Sequence, residues 1–189
     1  MDKLIHLIVG ARPNYMKIAP LYDELSLYPD EFHPMIIHTG QHYDDSMYKL
    51  LFEDLNMPKP EIFLKVGSGT QGIQTAKIIE RYETYLLNSV KPDLVIVAGD
   101  VNSTIACAIV AKKMMIPIAH LEAGLRSWDE SMPEEINRIL TDRISDILLT
   151  PSEDANNNLI NEGINPNKIF FVGNIMIDSL IKHKEFAKK

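Results

Sequence analysis

The chain has 189 residues, 46% of them apolar and 24% charged, the composition of an ordinary globular protein with one sizeable core and one or at most two domains. A formal net charge of −7 and an isoelectric point near 5.3 argue against nucleic acid or an anionic membrane as partner. Cys107 is the only cysteine, which excludes an intramolecular disulfide and a cysteine metal cluster and fits a reducing, cytoplasmic setting. The opening run MDKLIHLIVGARP has no small-residue cleavage site and is too short to span a bilayer, so it reads as a buried first strand.

Short β-rich runs alternate with longer helical patterns along the whole chain, which predicts parallel βαβ units in a doubly wound, Rossmann-like α/β domain over residues 1–189. Leu4 to Val9 is the first strand, and a helix follows over about Tyr15 to Leu27. Pro34 to His38 is a second strand, Ser46 to Leu55 a helix, and Glu61 to Val66 a short third strand. Gln71 to Ser89 carries Ile73, Ala76, Ile79, Tyr82, Tyr85 and Leu86 at helical spacing. Asp93 to Ala98 is a near-continuous apolar run of the kind found at the centre of a parallel sheet. A helix over Thr104 to Met115, a strand over Pro117 to Leu121 and a helix over Glu134 to Ser145 come next. Strands at Ile147 to Thr150 and Ile169 to Val172, with helices at Ser152 to Glu162 and Ile175 to Glu185, complete the pattern. Asn156 to Asn158 is expected on a solvated helix face.

In an open parallel sheet, ligands bind beyond the carboxyl ends of the strands. The polar residues that follow each predicted strand therefore belong together: Gly10-Ala11-Arg12-Pro13-Asn14 with Lys17, Thr39-Gly40-Gln41-His42, Gly99 to Thr104, Glu122 to Arg126, and Gly173-Asn174. Arg12 and Lys17 oppose the helix macrodipole, which favours an anion such as phosphate near them. Asp100 fits a helix cap as well as it fits catalysis. Glu122, directly after a buried strand, has no capping role. Ser131 and Glu134 fit a capping box with Pro133 in the first turn, so spacing alone favours a structural role for Glu134. Three carboxylates on neighbouring loops nevertheless suit proton transfer, because crowded acids push their pKa values apart. His6 and His38 lie inside strands and His120 near a strand end, where one histidine says little. Gly10-Ala11-Arg12 after the first strand lacks the G-x-G-x-x-G fingerprint and the chain has no P-loop, so nicotinamide and nucleotide-hydrolysis readings lose ground, and there is no G-x-S-x-G elbow and no H-E-x-x-H or C-x-x-C metal spacing.

The motifs GARPNYMKIAPL, TGQHYDDSM, AGDVNST, HLEAGLRS and MPEEINRILTD, in this order and spacing from Lys3 to about Leu180, closely resemble the non-hydrolysing UDP-N-acetylglucosamine 2-epimerases. The resemblance implies one half of a glycosyltransferase-B-type fold of two Rossmann-like domains, with this chain as the N-terminal one. The family's C-terminal domain would supply most of the UDP pocket and a catalytic histidine, in cis or in trans. The implied reaction interconverts UDP-N-acetylglucosamine and UDP-N-acetylmannosamine without a cofactor. Proton abstraction at C2 and anti elimination of UDP give a 2-acetamidoglucal, and UDP adds back with C2 inverted. Carried over, Asp100, Glu122 and Glu134 are the proton-handling carboxylates, and Arg12, Lys17, Gln41, His42, Asn102 and Arg126 bind substrate, with Glu135, Asn137 and Arg138 as supports. The resemblance, not the spacing, reverses the capping role of Glu134. It also implies a homodimer and a place in surface-polysaccharide or amino-sugar precursor synthesis. Tyr43-Asp44-Asp45 after Gln41-His42 departs from the basic residue of the allosterically regulated members. Related readings are an epimerase of UDP-diacetamido-hexuronic acids, a hydrolysing 2-epimerase, and a non-catalytic binding or assembly module.

Overall fold

A computed structural model describes residues 2–40 and 58–184. The predicted helix at Ser46 to Leu55, and Gln41 and His42, lie outside the described residues. Seven strands, β1 (Lys3–Val9), β2 (Phe32–His38), β3 (Ile62–Phe63), β4 (Leu94–Ala98), β5 (Ile118–Leu121), β6 (Ile147–Thr150) and β7 (Ile169–Phe171), form one sheet in the order β3-β2-β1-β4-β5-β6-β7. Every pairing is parallel. Among the described residues the α-helices are α1 (Arg12–Leu25), α2 (Gln71–Leu87), α3 (Asn102–Lys113), α4 (Pro133–Ile144), α5 (Glu153–Asn161) and α6 (Met176–His183). Among the described residues, no helix is long and apolar enough to cross a membrane.

The central strands β1, β4 and β5 are buried on both faces, as in a parallel sheet covered by helices, whereas Phe170 and Phe171 of the edge strand β7 are exposed. On one face Ile8, Val95, Val97 and Ile118 pack against Ile78, Tyr82 and Leu86 of α2 and Ala106, Cys107 and Val110 of α3. On the other, Leu7, Val9, Ile96 and Leu121 meet Tyr15, Ile18 and Ala19 of α1. Fully burying one such aliphatic side chain stabilises by about 1.5–3 kcal/mol. Cys107 is buried in this core, where loss of solvation raises its thiol pKa. His6 and His38 are buried too, and desolvation lowers each imidazole to a pKa of about 4. His6 Nδ1 shares a hydrogen bond with the Tyr82 hydroxyl (3.1 Å), and His38 accepts from the Gly40 amide (2.8 Å).

Several boundaries and faces differ from the sequence pattern. Helix α1 starts at Arg12 instead of about Tyr15, because Pro13 fits a first turn and the Asn14 side chain accepts the Ala11 N–H (3.1 Å). The buried stripe of α2 is Gln74, Ile78, Tyr82 and Leu86, while Ile73, expected inside, is 56% exposed. Strand β3 spans two residues because Lys65 turns to φ 54°, although Leu64 and Val66 still donate to His38 and Thr39 carbonyls (2.8 and 3.0 Å). The Ser131–Glu134 capping box does not form. Met132 is the N-cap of α4 without a side-chain cap, and Ser131 bonds Asp129 instead. The Asn156–Asn158 stretch is not simply solvated: Asn156 accepts from the Thr150 hydroxyl (2.5 Å) and Asn158 donates to the Gly124 carbonyl (3.0 Å).

Gly124 joins the β5 loop to α5 at very close range. Its φ is +80°, and a Cβ there would lie 2.4 Å from the Ala155 carbonyl oxygen. Gly124→Ala therefore combines left-handed strain with overpacking, together about 3 kcal/mol, and the melting temperature should fall by on the order of 10 °C. A thermal melt that shifts by less than about 2 °C would show that the close approach relaxes freely.

Candidate active site at the strand ends

The strand order reverses between β1 and β4, so the connections leave the sheet on opposite faces and open a crevice at that point. The parallel ladder runs one residue further on each side, through Thr39 N–H to Val9 O (2.9 Å), Gly99 N–H to Leu121 O (3.0 Å) and Ala123 N–H to Leu149 O (3.0 Å). The loops after β1, β2, β4 and β5 therefore begin at one level. Thr39 and Ser103 meet there through their hydroxyls (2.7 Å).

Lys17, in the second turn of α1, reaches across to the Glu122 carboxylate as an ion pair, with the two side chains only 13% and 15% exposed. Gly99 leaves room for this: a Cβ there would lie 3.0 Å from Lys17 Nζ and 3.6 Å from Glu122 Oε2. Asn14 donates to the Ala98 carbonyl (2.8 Å) and fixes the start of α1 against the end of β4. Glu122 itself has φ +71°, in the left-handed region that non-glycine residues rarely adopt.

Asp100 does not cap α3, whose N-cap is Val101. Its carboxylate pairs with Arg138 Nη2 instead, and its carbonyl accepts from Asn137 Nδ2 (2.8 Å). Arg138 also binds Glu135 (2.6 Å), which accepts from the Ser127 amide (3.0 Å) and the Trp128 amide (3.0 Å). Glu134, half-buried in the first turn of α4, forms no ion pair among the described residues. Thus Lys17, Asp100, Glu122 and the start of α4 come together, and Glu135, Asn137 and Arg138 support that helix terminus.

Other expected site residues are placed differently. Arg12 is exposed at the start of α1 and forms no ion pair among the described residues. The Asn102 amide donates to Gln71 Oε1 (2.6 Å) and Gln74 Oε1 (2.8 Å), tying α3 to α2. Arg126, expected to bind substrate, is drawn into the fold. Its buried guanidinium donates to Asp142 (2.8 Å), to the Leu125 carbonyl (2.7 Å) and twice to Glu162 (2.6 and 2.7 Å). Two residues that the sequence pattern did not single out for this site also shape it: Asp142 and Glu162. Their partners lie far away in sequence, so no local signal marks them. Among the described residues no cluster of His, Cys, Asp or Glu could hold a metal ion.

Fold and site define an α/β domain that brings carboxylates and cations to the switch point of a parallel sheet. The chain belongs to the UDP-N-acetylglucosamine 2-epimerase family, whose sequence profile matches residues 26–189. A UDP-N-acetylglucosamine 2-epimerase of Methanocaldococcus jannaschii is 49% identical over 98% of this chain and 50% of its own length. A solved structure of the M. jannaschii epimerase, in complex with UDP-GlcNAc and UDP, superposes with a TM-score of 0.91 at 47% identity, covering 98% of this chain and 51% of that one. The UDP-2,3-diacetamido-2,3-dideoxy-D-glucuronate 2-epimerase of Pseudomonas aeruginosa is 46% identical over 92% of this chain and 49% of its own. The chain thus spans about half the length of the curated relatives it matches. The outer-core galactosyltransferase WaaB, at 16% identity and a TM-score of 0.62 over 90% of this chain and 44% of that one, shares the fold. This is consistent with one half of a glycosyltransferase-B architecture.

Glu135 carries a measurable electrostatic load. Burial would raise its pKa, but the Ser127 amide, the Arg138 guanidinium and the Trp128 amide outweigh that and lower it from 4.5 to about 2. A depressed carboxylate stabilises the fold fully above pH 4.5 and loses that contribution as pH falls toward 2. Glu135→Gln should cost about 2 kcal/mol at pH 7 and flatten the acid limb of stability between about pH 5 and 2. Denaturant titrations of both proteins across that range check it, and parallel acid limbs would reject it.

Proposed function

We propose that residues 1–189 form the N-terminal, Rossmann-like domain of a UDP-N-acetylglucosamine 2-epimerase, and that a second, UDP-binding domain completes the site. The observation that carries this reading is the pairing of Asp100 and Glu122 with Arg138 and Lys17 across one crevice. Carboxylates beside a sugar can remove the C2 proton and return one to the opposite face, while cations favour the departing diphosphate. In the reaction that the family resemblance implies, the C1–O bond to UDP breaks as the C2 proton leaves. UDP then re-forms that bond as C2 is protonated. Asp100, Glu122 and Glu134 handle the protons, and Lys17 and Arg12 are the cations nearest the first loop. No cofactor enters these steps.

Asn102 and Arg126 belong to the same proposal as groups that shape the substrate loops, through Gln71 and Gln74 and through Asp142 and Glu162. Gln41 and His42 complete the substrate side. Self-association as a homodimer in a cytoplasmic setting is part of this reading, with the exposed Ile136, Ile139 and Leu140 of α4 as the apolar face offered to a second copy. A monomer by light scattering would remove that part. The 46% identity to the Pseudomonas enzyme supports a second reading, in which the sugar is a UDP-diacetamido-hexuronic acid.

Proton NMR of the chain mixed with either UDP-sugar should show weak or no binding and no C2 epimer, with turnover restored once the second domain is joined to it. The sugar that turns over decides between the readings, and epimer formed by the chain alone would refute the need for a second domain. In the complete enzyme, Asp100→Asn and Glu122→Gln should each lower kcat by about 10²–10⁴-fold. Rates at the unsubstituted level would remove the residue from the proton-transfer role.

A further inference from the structure

His120 of β5 is fully buried, and both of its ring nitrogens face acceptors. Nε2 lies 2.8 Å from the Gly99 carbonyl and Nδ1 lies 2.6 Å from Asp142 Oδ1. A carbonyl can only accept, so Nε2 carries a hydrogen and donates to Gly99. Asp142 also accepts from the Gly124 amide (3.1 Å) and from Arg126 (2.8 Å). Burial alone would raise the Asp142 pKa, but the charge and hydrogen bond of His120, then those of Arg126, outweigh it and hold the group below the usual carboxylate range. Nδ1 thus ties the ring to Asp142 while Nε2 ties it to the Gly99 carbonyl. Arg126 pairs with Asp142 and closes the network on Glu162 with a two-pronged pair.

The places where this network grips the backbone matter more than its charge. Gly99 immediately precedes Asp100, and Gly124 follows Glu122 by two residues. Gly99 and Gly124 have φ 66° and 80°, which glycine adopts freely, whereas Glu122 at φ 71° is held in a conformation that a non-glycine residue does not favour locally. We propose that His120 and Asp142 are positioning residues that set the Asp100 turn against the Glu122 turn, and so fix how the two carboxylates meet the sugar. Neither residue touches the reacting atoms; each acts through the backbone of the loop it holds. This rests on the epimerase reading above.

Two variants dissect the clamp in the complete enzyme. His120→Asn keeps a donor near the Nδ1 position, toward Asp142, and lacks the reach to Gly99. His120→Gln keeps a donor near Nε2. His120→Asn should lower kcat by about 100-fold with KM changed less than about threefold, since a small misplacement of catalytic groups acts on the chemical step. His120→Gln should recover about tenfold or more of that loss. Amide exchange of Gly99 to Asn102 should accelerate in His120→Asn, while the core amides of Val97 and Ile118 hold their rates. Unchanged kcat, equal kcat in the two variants, or exchange that rises uniformly would overturn the proposal. If the unsubstituted enzyme turns over neither UDP-sugar, the epimerase reading fails. The selective or uniform character of the amide exchange then decides by itself whether the clamp positions these loops.

Discussion

Like charges gathered in one partly buried crevice repel, by about 4 kcal/mol for a pair 4 Å apart at an effective dielectric of 20. Each carboxylate brought there needs a counter-charge, and much of this fold is arranged to supply them. Lys17 comes from α1 on one side of the switch point and meets Glu122 at the end of β5. Arg138 comes from α4 and meets Asp100 at the end of β4. The early start of α1 at Arg12 is part of this arrangement, because it puts Lys17 in the second turn, over Gly99. The same constraint reaches outward: Arg138 must share itself with Glu135, and Glu135 in turn binds the amides of Ser127 and Trp128. An ion pair at the crevice thereby orders the loop that leads into α4.

The alternation of apolar runs with helical patterns was legible because burial on both faces leaves a strand nothing but apolar residues to carry. Glycine and polar residues after each run marked the loop level, and this brought Lys17, Asp100 and Glu122 into one group before any coordinates. What was not legible depends on partners distant in sequence. Arg126 reads as a free cation after a strand, yet its guanidinium is bound by Asp142 and Glu162. Ser131 and Glu134 have the spacing of a capping box, but Asp129 competes for Ser131 and the helix begins after Met132. On α2 the apolar pattern admits two neighbouring faces. The polar Gln74 is taken inside because its side chain meets Asn102, and Ile73 is left outside. Glu134 was placed in the site by family resemblance alone, since spacing argued for a cap.

The placement of the acids also bears on what they are for. An acid near a helix start is usually accounted for by the helix, through a cap or the macrodipole. Asp100 does neither, because Val101 is the cap residue of α3 and the carboxylate turns to Arg138. The missing capping box removes that role from Glu134, which keeps only a first-turn position favourable to the macrodipole. Glu122 is the clearest case. At φ +71° a non-glycine residue costs roughly 1 kcal/mol, and a glycine there would avoid it, as Gly124 does two residues later. The Lys17 pair offsets part of the strain, but both side chains are largely buried, so the cost of desolvating two charges opposes the Coulomb gain. Stability alone therefore gives no reason for a carboxylate at position 122. The proposed epimerase reading supplies one: with a substrate proton in the crevice, a carboxylate held by strained backbone and a single cation can accept it.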